Sequence, residues 1–218
     1  MKTLASAIFM ERPGGNLDWV IYVLFFSMLM VAVSRLLFSN NFLALNNVEK
    51  FVEINDNQGI FSVFFQIVFA VLTGALLVPY LISDYDFIFY TPVLKMLALA
   101  VIVLLFFIFR HLFGSLGVFA FKIPFDQNLN FRSSSYYRVY SVIVLWIAVF
   151  LYYFSGWPKL VILLASLIIL LIIRILQIVH KYQNQPEQQT KIWYYNILYL
   201  CTLEILPLLV LFKFLTVW

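Results

Sequence analysis

Hydrophobic residues in this chain come in long, nearly uninterrupted runs instead of the half-polar stripes of a water-soluble fold. Crossing a bilayer takes roughly 20 apolar residues, because the hydrocarbon core is about 30 Å thick and a helix rises about 1.5 Å per residue. Six runs meet or approach that length: Leu17–Phe38, Ile60–Ile82, Pro92–Leu112, Val139–Ser155, Lys159–Val179 and Trp193–Phe214. The fourth is the shortest, and its helix has room to start as early as Ser134. Between the fourth and fifth runs stands only Gly156-Trp157-Pro158, which predicts a tight hairpin at one membrane face. The pattern predicts an all-α, polytopic transmembrane bundle of about six spans, with residues 1–218 forming a single domain.

Composition leaves no soluble alternative. The chain is 64% hydrophobic and 11% charged, with a mean hydropathy of +0.99, whereas ordinary globular domains are about a quarter charged. More than half of a folded surface is already apolar, so a soluble fold of this size could not hide the excess. Lipid must be the solvent. Trp19, Tyr22, Tyr80, Tyr136, Tyr137, Trp157, Trp193 and Tyr194 sit where apolar runs meet polar ones, as amphipathic rings do at a membrane interface. Residues 1–10 carry Lys2 and too short an apolar stretch for a cleaved signal peptide, so the first span is expected to act as an uncleaved insertion signal.

Charge sets the expected orientation. The connections after spans one, three and five hold Arg35, Lys50, Arg110, Lys122, Arg132, Arg138, Arg174, Lys181 and Lys191. The other side holds Lys2, Arg12, Lys95, Lys159 and Lys213. Nine against five predicts that both termini are extracytoplasmic. Two connections on the basic side carry further pattern. Over 41–56 the apolar residues Phe42, Leu45, Val48, Phe51, Val52 and Ile54 recur at near-helical spacing. They predict a short amphipathic helix, either lying on the membrane surface or packed under the bundle. In Gly114–Arg138, the basic residues Lys122, Arg132 and Arg138 stand among aromatics, a composition suited to anionic head groups. A net charge of +4 spread this way is no nucleic-acid footprint.

Within the spans, polar residues are few. Ser27, Ser34, Gln66, Thr73, Ser141, Ser166 and Asn196 are expected to make helix–helix hydrogen bonds. Ala70 and Gly74, spaced i, i+4, form a small-residue patch that suits close helix packing; Pro79 marks a bend near the end of span two. One residue stands out. Glu204 lies about eleven residues into the last span, roughly 16 Å deep at about 1.5 Å per residue. A carboxylate at the bilayer centre is costly unless protonated, hydrated or paired, so it marks a functional-site hypothesis. Pro207, three residues on, frees the carbonyl of Leu203 and favours a kink. The structural alternative is a neutral or hydrogen-bonded acid, and Arg174, inside the basic-side half of span five, is its expected cationic partner.

Catalytic constellations are missing. His111 and His180 have no HExxH or HxxxH partner, and there is no P-loop, GxGxxG, GxSxG or paired intramembrane aspartate. The Asp84/Asp86 pair falls in a short loop and reads as a solvated turn. Cys201 is the one cysteine, which excludes intrachain disulfides and cysteine-rich metal sites. No metal, cofactor or enzymatic activity is therefore expected.

The closing stretch Trp193-Tyr-Tyr-Asn-Ile-Leu-Tyr-Leu-Cys-Thr-Leu-Glu-Ile-Leu-Pro-Leu-Leu-Val-Leu-Phe-Lys213 resembles the C-terminal signature of the domain of unknown function 4271 family. The opening Asn16-Leu-Asp-Trp-Val20, followed by a span ending near Arg35, is similar as well. The resemblance implies a multi-pass protein of the inner membrane of a Bacteroidota bacterium and singles out Cys201, Thr202, Glu204, Pro207 and Lys213 as the distinctive site. It implies no activity. Two functions follow as expectations. One is a non-enzymatic accessory or scaffold subunit that packs against other integral membrane proteins in an envelope export, secretion or assembly complex. The other is a small proton- or cation-coupled transporter or channel that uses Glu204.

Overall fold

The computed structural model describes residues 17–53, 58–80, 91–121 and 127–183, with backbone alone at 110, 113–121, 127–131 and 181–183. The expected sixth span, Trp193–Phe214, lies outside the described residues, as do Lys122 and the Asp84/Asp86 pair. Every regular element among the described residues is helical: α1 (Asp18–Leu37), α2 (Ser39–Leu43), a 3-10 turn (Ala44–Asn46), α3 (Val48–Glu53), α4 (Gln58–Leu77) running into a second 3-10 turn (Val78–Tyr80), α5 (Pro92–Phe121), α6 (Gln127–Phe154) and α7 (Lys159–Gln183). Five of these, α1, α4, α5, α6 and α7, are long and apolar enough to cross a membrane.

Local chemistry explains where the helices begin. At α5, Thr91 accepts the Leu94 N–H on its Oγ1 at 3.3 Å, and Pro92 occupies the first helical position, where its missing N–H costs nothing. At α3, the Asn47 Oδ1 accepts the Glu49 N–H at 2.9 Å. The α6–α7 turn is as short as Gly156-Trp157-Pro158 predicts. The Ser155 hydroxyl accepts the Trp157 N–H at 3.3 Å, and the Pro158 carbonyl accepts the N–H groups of Val161 and Ile162 in the first turn of α7.

Helix α4 is the hub, packed against α1, α5 and α6, while α7 lies against α6. Half of its membrane-length window is buried, against 17% for α5 and α7, whose outer faces are left apolar and open. Contacts fix the directions. Arg138 of α6 reaches Ser62 near the start of α4, and Tyr153 of α6 reaches Ala75 near its end, so these two helices run parallel. Helix α1 runs the other way, with Trp19 against Tyr153 and Phe38 against Phe61. Helices α5 and α7 are likewise antiparallel to their neighbours, through Phe107 against Phe69 and His180 against Tyr137. The end of α1, the starts of α4 and α6 and the end of α7 therefore gather at one end of the bundle.

Two close approaches hold α4 in place. A Cβ added to Gly74 would lie 2.8 Å from the Met96 carbonyl oxygen and 3.1 Å from the Ala100 nitrogen, so the backbones of α4 and α5 meet there without a side chain between them. Ala70 is fully buried, completing the small-residue patch. Pro79 has no N–H to give to the carbonyl four residues earlier, that of Ala75. The Tyr153 hydroxyl fills the gap, donating to the Ala75 oxygen at 2.9 Å, and the helix tightens into its 3-10 turn at that point.

Three expectations change. The stretch 41–56 is not one helix: α2, the 3-10 turn and α3 divide it, because Asn47 caps a fresh start at Val48. The Gly114–Arg138 connection is helical on both sides of residues 122–126, since α5 continues to Phe121 and α6 starts at Gln127. His111, next to the last residue of the expected third run Pro92–Leu112, accordingly lies inside α5.

The intraspan hydroxyls also behave differently from expectation. Ser27, Ser34, Thr73, Ser141 and Ser166 donate to carbonyls three or four residues back in their own helices, at 2.8–3.0 Å. Short hydroxyl side chains reach their own backbone first. The bonds that cross between helices come from longer groups: Trp146 Nε1 to the Leu24 carbonyl at 3.3 Å, Tyr153 to Ala75, and Arg138 to Ser62.

Candidate functional site

At the end of the bundle where α1 stops and α4 and α6 begin, residues 38–53 fold back as short, irregular turns. Their apolar side chains converge on Phe61, which is fully buried. Its ring centroid lies 5.7 Å from that of Phe38, 5.8 Å from Phe42 and Phe51, and 4.8 Å from Phe65. Three of the four pairs join residues distant in sequence, so the cluster ties the segment to α4. Edge-to-face and tilted arrangements of this kind each add about 0.5–1.5 kcal/mol beyond the area buried. Leu43, by contrast, is 78% exposed, so the segment has an inner and an outer face.

Turns this short leave carbonyls that no helix satisfies, and such groups cannot be buried without partners. Helix α6 and the start of α4 supply them. The Leu45 carbonyl accepts both the Tyr136 hydroxyl at 3.2 Å and the Tyr140 hydroxyl at 3.0 Å, and the two hydroxyls lie 3.3 Å from each other. At the C-terminal end of α3, Gln58 Nε2 donates to the Phe51 carbonyl at 2.7 Å and Arg132 Nη1 to the Val52 carbonyl at 2.9 Å. A cation at a helix C-terminus also meets the negative end of its dipole.

Arg138 does similar work one helical turn or so deeper. Nη1 donates to the Ser62 hydroxyl at 2.9 Å, Nη2 reaches the Ser134 hydroxyl at 3.5 Å, and the guanidinium carbon stands 5.2 Å from the centre of the Phe107 ring. That arrangement joins α4, α5 and α6 through one planar cation. Arg132 and Arg138, expected on the membrane surface beside Lys122, are thus half-buried with their guanidinium groups bonded to protein acceptors. The sequence could not announce this, because the acceptors lie 76 and 80 residues away.

A second polar point lies on α7. Arg174 is half-buried and donates through Nη1 to the Oε1 of Gln177, which is itself buried. The residues expected to join Arg174 there, Cys201, Thr202, Glu204 and Pro207, lie outside the described residues. Among the described residues no three His, Cys, Asp or Glu side chains come together, so none of them forms a metal-binding set. The chemistry these groups offer is hydrogen bonding, with one cation–π contact at Arg138, which holds elements together.

The family model described as a domain of unknown function, DUF4271, matches residues 20–215. No curated protein and no solved structure matches the chain. The matched stretch takes in all five long apolar helices from near the start of α1, and the expected sixth span as well. The chain belongs to the domain of unknown function 4271 family.

Proposed function

We propose that this protein is a non-enzymatic subunit of a bacterial cytoplasmic-membrane complex, packing against other integral membrane proteins in export, secretion or assembly at the cell envelope. The observation that carries the reading is where the polar groups of the spans point. Five hydroxyls close onto carbonyls of their own helices, and Arg132 and Arg138 secure neighbouring elements. Solute pathways need polar groups that converge on a route through the bilayer; these groups are taken up by their own helices or by neighbouring elements instead. The outer faces of α5 and α7 remain apolar, as suits contact with lipid or with a partner's spans. The short, anchored turns of 39–53 add an ordered surface at the basic end, where Asn40, Glu49, Lys50 and Glu53 are exposed.

A second reading, a small proton- or cation-coupled transporter, rests on one feature: an acid in the last expected span, three residues before a proline. Ion flux separates the two. The purified chain, reconstituted into liposomes with an imposed pH or potassium gradient, is expected to leave proton and alkali-cation permeability at the level of empty vesicles. Flux well above that level, abolished by Glu204→Gln, overturns the subunit reading in favour of transport.

A further inference from the structure

We propose that the turns between α1 and α3 dip into the bilayer at the basic end of the bundle, with Leu43 as an anchor among the acyl chains and α3 left in water. By the standards of a loop in water the segment is inside out. Asn41 is 1% exposed and Ala44 6%, whereas Leu43, between them, is 78% exposed. Leu36, in the last turn of α1, is 82% exposed, and no other large apolar side chain among the described residues is as open as these two. A loop in water turns its leucines in and its asparagines out. One solvated by hydrocarbon gains from the reverse.

Depth selects lipid as the occupant. After the corner at Phe38 the chain runs back beside the bundle. Phe42 packs against Phe61 and Phe65, one and five residues past Ile60, where the apolar run of α4 begins. Its ring therefore sits within the first two turns of that run, up to about 8 Å in. The Leu45 carbonyl is held by Tyr136 and by Tyr140, the second residue of the run Val139–Ser155. One carbonyl that accepts two phenol hydroxyls fits a water-poor place, where irregular backbone must find its partners in the protein. Polar residues mark the way in and out. Ser39 and Asn40 are exposed before Leu43, and Asn46 and Asn47 after it, so the dip is shallow, at the boundary of head groups and acyl chains. Glu49, Lys50 and Glu53 are exposed on α3, which Gln58 and Arg132 hold beside the starts of α4 and α6, so α3 faces water. Arg35 and Lys50, both exposed, flank the dip as suits lipid phosphates.

Lipid contact at Leu43 is independent of whether the chain is a subunit or a transporter. The protein itself leaves this side chain open, so any shielding of it must come from outside the fold. Full-length Leu43→Cys and Lys50→Cys are compared in two settings: purified into nanodiscs of phosphatidylethanolamine and phosphatidylglycerol, and in opened native membranes. Each is treated with a charged, membrane-impermeant maleimide. Peptide mass spectrometry reads each position separately, which keeps Cys201 out of the signal. The thiolate is the reactive form, and apolar surroundings suppress it. Position 43 is therefore expected to react several-fold more slowly than position 50 in both settings, and the two rates to converge once detergent denatures the protein. Equal rates in nanodiscs place Leu43 in water and overturn the dip. Protection at position 43 in native membranes but not in nanodiscs overturns it as well, because a partner protein, not lipid, then covers the leucine.

Discussion

Phe61→Ala is expected to destabilise the protein by about 3–5 kcal/mol, the range for removing a fully buried aromatic side chain, and to release residues 38–53 from the end of the bundle. The reason lies in the position of the ring. Phe38, Phe42, Phe51 and Phe65 all pack against it, and three of them belong to the short turns or the α1 end that those turns extend. Hydrogen bonds from Tyr136, Tyr140, Gln58 and Arg132 orient the segment. Each neutral bond contributes only about 0.5–1.5 kcal/mol net and the charged Arg132 bond about 1.5–3 kcal/mol, less than the ring. Thermal unfolding in detergent and limited proteolysis within Leu43–Glu53 check both parts of the expectation. A variant with unchanged stability, or one destabilised with no faster cleavage there, would show that Phe61 is not the anchor.

The second large effect concerns the packing of α4 on α5. Gly74→Val places a branched side chain where even a Cβ would sit 2.8 Å from a backbone oxygen and 3.1 Å from a backbone nitrogen of α5. Those atoms cannot swing aside as a side-chain tip can, so α4 and α5 must separate. Overpacking of this kind costs about 1–3 kcal/mol, and more where backbone has to move. The matched control is Gly59→Ala. Nothing lies within 4 Å of a Cβ at that position, which is the second residue of α4. Alanine there is expected to be neutral or to stabilise by up to about 1 kcal/mol through its higher helix propensity. Detergent-solubilised melting temperatures of the two variants should therefore move in different directions, or one should fall while the other holds. Equal shifts would contradict the close approach.

Much of the architecture was legible in the sequence. Apolar runs of span length announced α1, α4, α5, α6 and α7, and Thr91-Pro92 and Gly156-Trp157-Pro158 marked their ends because those residues restrict the backbone locally. Ala70 and Gly74 signalled a close contact, though not with which helix. What stayed hidden depends on partners distant in the chain. The Gly114–Arg138 stretch reads as a connection, yet α5 runs on to Phe121 and α6 starts at Gln127. Arginines 132 and 138 read as surface charges because nothing near them in sequence reveals the Val52 carbonyl or the Ser62 hydroxyl. The break at Asn47 was masked by an apolar periodicity that runs across it.

The site residues divide the same way. Glu204 and Pro207 stand out in the sequence because an acid and a proline are costly inside an apolar run, but both lie outside the described residues. The Tyr136, Tyr140 and Gln58 contacts to backbone carbonyls were missed. Tyrosines at the edge of an apolar run serve equally well as interfacial anchors, and only the fold shows that these two share the Leu45 carbonyl.

The most direct test of the subunit reading is recovery of the tagged, full-length chain from its native membranes in a mild detergent, with companions quantified by mass spectrometry. The account predicts one or more integral membrane proteins at a fixed, near-stoichiometric ratio to this chain, retained through a second purification step. Recovery of the chain alone, or only as copies of itself, would contradict it.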